Sequence, residues 1–526
     1  MLLGASIGAT SLAAGAPVAI TTGLLVGLSV LLLGRALTTA VRLLDPHEAV
    51  RRLLAVAEGD EWARFAVGTR SMTDLTDDDR ASAAQGLDLD STTIMLGERL
   101  PELTAAGGPA AESEEVPADV AEADTDTAVQ EFLSRLSERH RIREREVAPL
   151  QRDVLDGKLA DPLGPAFEVV GRSLAQHPDR QFKELLASIM DRGLAMLETA
   201  TCVGLTPGEV RSLLLHSLFD DHVSPLVRAA FDAGRLSHAA SVSRVVSARE
   251  RSGRSVEVSK AAFAVSHRLA RSLIETRAPG PLCSVIEDMA TVAIVVGAMP
   301  GNLAGLGFHE VCRGLGELGQ RIPRVFNPPG EPELTIGPHA TELERSVPLG
   351  ALLNGTWQIK EALFQTPGEG PSPLIWVDAV KVTAREVARY STSVLQTNRL
   401  EEALFDAVDQ LADVGISGAR CGDEKWSMFA GYALMELAQD AEALFWTEYP
   451  TYVAIRLAEI AVWALDRDIR VRGLAPTSLG EKLAMEIATS LPAAVAYVAD
   501  AVRNGRFDEA SDEANDKLLA ALGMPS

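Results

Sequence analysis

The amino-acid sequence predicts a mainly α protein. An N-terminal membrane helix, paired as a hairpin, is followed by an irregular all-helical cytoplasmic region of two bundles or a helical stack. Three observations carry this expectation. Residues 1–34 hold no charged side chain, the first being Arg35. From about residue 128 the apolar residues recur at spacings of three and four, the period of a helix with one buried face. Few stretches alternate apolar and polar residues as a half-buried strand does.

A single helix over the neutral opening would be about 51 Å long, too long for a hydrocarbon core of roughly 30 Å. It therefore divides, and Gly15-Ala16-Pro17 is the place, because proline suits the first helical position. The stretch from Pro17 to Gly34 then spans about 27 Å, one crossing. Residues 2–16 are too short to cross alone and are read as the end of a paired span. Gly4, Gly8, Ser11 and Gly15 share one face of the first segment, and Gly23, Gly27 and Gly34 one face of the second. Small residues at that spacing let helix backbones approach closely in lipid. Arg35, Arg42, Arg51 and Arg52 follow directly, so the bulk of the chain is expected on the cytoplasmic side of the cell (inner) membrane.

The next elements are a juxtamembrane helix over 36–66 and an acidic loop, together spanning 36–104. The segment 105–127 is rich in Gly, Pro and acids. Such a composition cannot bury enough apolar surface to offset its ordering entropy, so a disordered linker is expected. A first helical domain is read over 128–322, with helices near 181–202, 207–219, 223–234, 257–277 and 282–299. The uncharged run 289–308 reads as a buried helix and a glycine-rich turn, 301-GNLAGLG-307, since Pro300-Gly301 breaks it. A Pro-rich connection, 323–348, leads to a second helical domain, 349–526. Its helices are expected near 378–395, 400–414, 424–447, 451–466 and 478–503. In 451–466 polar side chains are nearly confined to Arg456, Glu459 and Asp466, which predicts a central, enclosed helix. The paired helices show no fixed repeat period.

Composition excludes some functions. Net charge is −24, and neutralising phosphates takes a dense Lys/Arg surface, so nucleic acid is not an expected partner. The four cysteines, Cys202, Cys283, Cys312 and Cys421, form no CxxC and do not make a disulfide framework. No Walker, Rossmann, HExxH or GxSxG signature occurs, and no cofactor is implied. The best titratable cluster is 216-HSLFDDH-222. On a regular helix His216 and Asp220 share a face, and with His222 they form a candidate metal set lacking further ligands. His309 and Cys312 have half-site spacing, with Cys283 as a conceivable third ligand, but read better as a buried thiol beside an ordinary histidine. The aromatics between Trp426 and Trp463 read as core.

The functional expectation is a membrane-anchored binding, scaffold or sensor module. Its partners are the lipid bilayer and another protein, or a second copy through the membrane helices. The alternatives are a metal-dependent hydrolase using His216, Asp220 and His222, and a subunit of an oligomeric channel or transporter.

Overall fold

The structure is a computed structural model that describes residues 45–69, 145, 147–174, 178–203, 205–250, 255–326, 342–365, 370–390, 398–441, 448–470, 478–507 and 509–525. The membrane segment with Gly4, Gly8, Gly23, Gly27 and Gly34, the acidic loop and the linker 105–127 lie outside them. Every regular element among the described residues is helical, as the apolar period predicts. The chain divides into two compact units, one of residues 1–170 with 188–218, the other of 171–187 with 219–526.

In the first unit, α1 (Pro46–Val56) starts on Asp45, whose carboxylate accepts from His47 N–H, with Pro46 at the first position. The sequence reads a helix over 36–66 punctuated by Asp45-Pro46, where α1 begins; the chain breaks again at Ala57-Glu58 and restarts as α2 (Gly59–Thr69). Arg192 on the later helix α5 (Asp179–Thr199) holds that break, donating to Ala57 O at 2.7 Å. Trp62 is fully buried. A third helix, α3 (147–155), and α4 (Gly164–Ser173) follow. Val67, Val147 and Leu213 make a small core, joined by Leu150, Cys202 and Leu205. Leu213 belongs to α6 (Pro207–His216), which opens with a reciprocal cap between Thr206 and Glu209.

The second unit is built by one packing rule. It contains α7 (Ser224–Asp232), α8 (Leu236–Glu250), α9 (Val256–Glu275), α10 (Pro279–Ala298) and α11 (Asn302–Phe326). It continues with α12 (Glu342–Leu363), α13 (Leu374–Tyr390), α14 (Asn398–Cys421), α15 (Glu424–Ala441), α16 (Glu448–Asp466) and α17 (Leu479–Ser490). Two short helices, α18 (Val495–Arg503) and α19 (Asp512–Ala521), finish it. From α8 onward each helix packs on the next but one, so α8, α10, α12, α14 and α16 form one layer. Helices α9, α11, α13, α15 and α17 form the other. This is a two-layer stack of helical hairpins, and it runs without interruption across the Pro-rich stretch, because α10 packs on α12 and α11 on α13. That stretch also begins and ends inside helices, with Pro323 in α11 and Pro348 in α12.

Among the described residues, α10 is the single continuous helix long and apolar enough to cross a membrane. Its sequence has another cause here. It packs against α8, α9, α11 and α12, so Leu282, Val285, Ile286, Met289, Val292 and Val296 are all fully buried. The enclosed helix expected at 451–466 is α16, which packs on α14, α15, α17, α18 and α19. Its three polar exceptions all have partners. Arg456 reaches Asp409 and Asp413 on α14 at 3.0 and 2.8 Å and Glu459 at 2.7 Å, and Asp466 accepts from Ser511 N–H at 3.1 Å.

Neighbouring helices within each layer are linked by charge at successive steps. Lys260 on α9 meets Glu310 on α11 at 2.9 Å, Arg324 on α11 meets Glu386 on α13 at 2.7 Å, and Lys381 on α13 meets Glu436 on α15 at 3.0 Å. In the other layer Lys360 on α12 meets Asp413 on α14 at 2.7 Å. Such pairs contribute at most about 1 kcal/mol each where exposed, but they fix the register between neighbouring helices. Among the described residues many of the cations in the stack are engaged in this way.

Where the sequence reads one helix over 478–503, the chain breaks at Leu491-Pro492, and the two halves meet at a bend of 104°. Pro492 offers no N–H to continue the ladder. Earlier in α17, Gly480 lies against α16: a Cβ there would sit 2.4 Å from Ala461 O and 2.5 Å from Leu465 Cγ. Gly480→Ala is expected to destabilise the protein by about 1–3 kcal/mol through overpacking, read as a lowered thermal midpoint. An unchanged midpoint would mean the two helices are not in contact there.

Candidate functional site

The motif 216-HSLFDDH-222 shapes the site. Helix α6 ends at His216, and Ser217–Val223 form a π-helical stretch with i→i+5 pairing. Pro225 follows within the first turn of α7. It has no N–H to close a regular turn, so the α ladder cannot run through it, and the wider form ahead of it is the outcome. The widening turns Asp220 toward α9, where Arg268 Nη2 donates to Asp220 Oδ1 at 2.9 Å and to Ser224 Oγ at 3.1 Å. His216 is exposed and His222 half-buried. Among the described residues no group of three or more His, Cys, Asp or Glu side chains is placed to hold a metal ion.

Arg268 fastens the start of α7 beside the second half of α9, but the two helices do not close on each other. Helix α7 packs on α8, and α8 on α9. Between α7 and α9 a groove of about 390 Å³ stays open, within the size range of small binding sites. Its floor is Val227 and Phe231 from α7 with Val265 and Leu269 from α9. Its walls carry Arg228, Arg268 and Arg271, and Asp232 and Glu275 close one end. The contributing residues recur at three and four on each helix, so two helical stripes face the same open space.

The arginines are unequally satisfied. Arg228 is exposed and has no carboxylate partner among the described residues. Arg271 stands 3.7 Å from Glu317, a carboxylate that already binds Arg321 at 2.9 Å and lies 3.4 Å from His267. Burial holds His267 below the ordinary imidazole range against the pull of Glu317, so it is neutral at neutral pH and the charge beside the groove is that of the guanidiniums. A second hollow of about 270 Å³, between the start of α5, α8 and the start of α10, is more self-satisfied. There Lys183 is paired with Asp179 at 2.5 Å, and Asp179 also accepts from Ser241 Oγ at 2.5 Å.

The other sequence candidates separate. His309 is exposed on α11 while Cys312 is fully buried, and burial drives the Cys312 thiol far above its ordinary range. The Cys283 thiol is pushed up to about 11, by burial and then by Glu287. Neither is a ready thiolate ligand at neutral pH. In 301-GNLAGLG-307 only Gly301 has a positive φ, +102°. From Asn302 the segment is helical. Trp426 belongs to a packed aromatic knot with Phe364, at 5.6 Å between ring centres. Phe445 and Trp446 lie outside the described residues. The groove itself was not found from the sequence, although 224-SPLVRAAFD-232 carries its stripe at the helical spacing.

No known family model matches this sequence, and no curated protein matches it. Among solved structures it is similar to one described as a circular tandem repeat protein with novel repeat topology and enhanced subunit contact surfaces. The identity is 16% and the TM-score 0.30, over 90% of this chain and 95% of that one. The architecture described above rests on the helix packing of this chain alone.

Proposed function

We propose that this chain is a membrane-tethered helical binding module that takes up a segment of another protein in the groove between α7 and α9. The observation that carries the reading is the groove itself: two helical stripes with an apolar floor and an arginine that has no carboxylate partner among the described residues, left open in a stack where many other cations are engaged. Apolar floors with a few placed polar groups are what binding sites are made of, and amphipathic helices are commonly received in such grooves. The tether is the neutral opening of the chain, with its glycine faces for a neighbouring helix, and the basic residues behind it set the stack on the cytoplasmic side of the inner membrane. The net charge supports a protein partner over a nucleic acid.

Full-length protein extracted from its own membranes in mild detergent is expected to carry a stoichiometric protein partner. The double variant Arg228→Glu, Phe231→Ser is expected to lose it while keeping its helical circular dichroism. Equal recovery with both proteins removes the groove from the reading. Full-length protein that stays in the supernatant of a detergent-free high-speed spin removes the tether.

A further inference from the structure

The groove has a polarity that specifies its occupant. Helices α7 and α9 run the same way, because α8 returns between them and because Ser224, which begins α7, lies beside Arg268. Arg228, Arg268 and Arg271 therefore line one end and the middle of the groove, while Asp232 and Glu275, the last residues of α7 and α9, close the other. Both host helices point their C-terminal dipole ends toward that acidic end. The lining residues extend over about 12 Å of α7 and about 15 Å of α9, two to three turns of each helix. Within the layer rule of this stack, α7 stands where a helix would precede α9, yet it stands off from α9 instead of packing on it.

We propose that the groove receives an amphipathic helix of another protein, lying antiparallel to α7 and α9 with carboxylates in its last turn facing Arg228 and Arg271 and basic residues in its first turn facing Asp232 and Glu275. The proposal rests on the binding reading above and names the partner's chemistry. Apolar residues at i, i+3, i+4 and i+7 would settle on Val227, Phe231, Val265 and Leu269. The antiparallel direction places the negative end of the incoming dipole at the arginines and its positive end at the acids. Arg228 gains a carboxylate partner, which it lacks among the described residues, and Arg271 no longer shares Glu317 with two neighbours. Charge pairs of this kind select direction and register more than they add affinity.

The test uses the full-length protein in detergent and two labelled synthetic peptides of equal composition, each with leucines at i, i+3, i+4 and i+7. One has glutamates in its last turn and lysines in its first; the other has them exchanged. Fluorescence anisotropy is expected to show the first binding about five- to tenfold tighter, with the preference lost or reversed in Arg228→Glu. That exposed, unpartnered position is expected to tolerate the change without unfolding, and circular dichroism checks it. Equal binding of both peptides, binding of neither, or a preference that survives in Arg228→Glu overturns the proposal. If the membrane-extracted partner is still lost from the Arg228→Glu, Phe231→Ser protein while the peptides fail, the binding module stands and the occupant is not this helix.

Discussion

Replacing Trp376 by alanine is expected to cost about 3–5 kcal/mol of stability, the range for a large buried aromatic truncated in a packed core. Trp376 is fully buried on α13. Its indole N–H donates to Thr356 O on α12 at 3.0 Å, and alanine would remove this bond between the layers as well as open a cavity. The ring also meets Phe364 edge-on, at 5.4 Å between centres, and Phe364 in turn meets Phe308 of α11 and Trp426 of α15. One side chain thus helps to tie both layers across the middle of the stack, where α11, α12, α13 and α15 meet. Guanidinium unfolding followed by circular dichroism would read the loss. Because a stacked array is held by nearest neighbours, the transition is also expected to broaden or split as the parts on either side of α13 lose their coupling. Trp357→Ala is the matched control: that ring is 46% exposed, and its removal is expected to cost roughly 1 kcal/mol or less. A loss below about 1 kcal/mol at Trp376 would contradict the aromatic knot.

How far the sequence foretold this depended on whether the local pattern and the packing agreed. Where a helix is amphipathic and capped, they agree: 207-PGEVRSLLLH-216 follows a Thr–Glu cap, and α16 betrays its enclosure by three isolated polar residues. The start of helix α11 is hidden because 301-GNLAGLG-307 reads as a glycine-rich turn, and further glycines follow along the helix. In the fold those glycines serve the seams. A Cβ on Gly319 would sit 1.9 Å from Thr383 Oγ1, and one on Gly314 2.5 Å from Phe263 Cζ. Helix propensity was overridden by the need for close approach, which no local reading of the sequence can see. The site fared similarly. The motif 216-HSLFDDH-222 was singled out for its titratable groups, on the assumption of a regular helix. The i→i+5 turn that Pro225 imposes changes which faces those groups share, and Asp220 becomes the anchor of Arg268. The stripe of α7 was legible, but that nothing packs on it is a property of the stack, and only the arrangement of α8 and α9 reveals it.

A buried acid in the same stack yields the second large effect, with a definite pH dependence. Asp288 lies on α10 at the seam with α8, 6% exposed, and one of its carboxylate oxygens has no hydrogen-bond partner among the described residues. Burial pushes its carboxyl up to about 6 from an ordinary 3.8; Arg244, 3.6 Å away on α8, and Ser243 oppose the shift, and Glu287 adds to it. The folded state therefore holds this proton more tightly than the unfolded chain does. Its contribution to stability is most favourable below about pH 4, declines between about pH 4 and 6, and stays at its low value above that window. Two pKa units correspond to roughly 3 kcal/mol, an upper figure for one carboxylate at a partly hydrated seam. Asp288→Asn keeps the size and an acceptor for Ser243 while removing the ionisation. It is expected to raise stability near pH 7.5 by about 2–3 kcal/mol and to leave it unchanged near pH 4. The difference between the two proteins across that range isolates Asp288 from every other acid in a chain of net charge −24. If the difference is independent of pH, or if the asparagine protein is the less stable at neutral pH, the Asp288–Arg244 pair is a net stabiliser, and the carboxylate is far better solvated than its place in the stack implies.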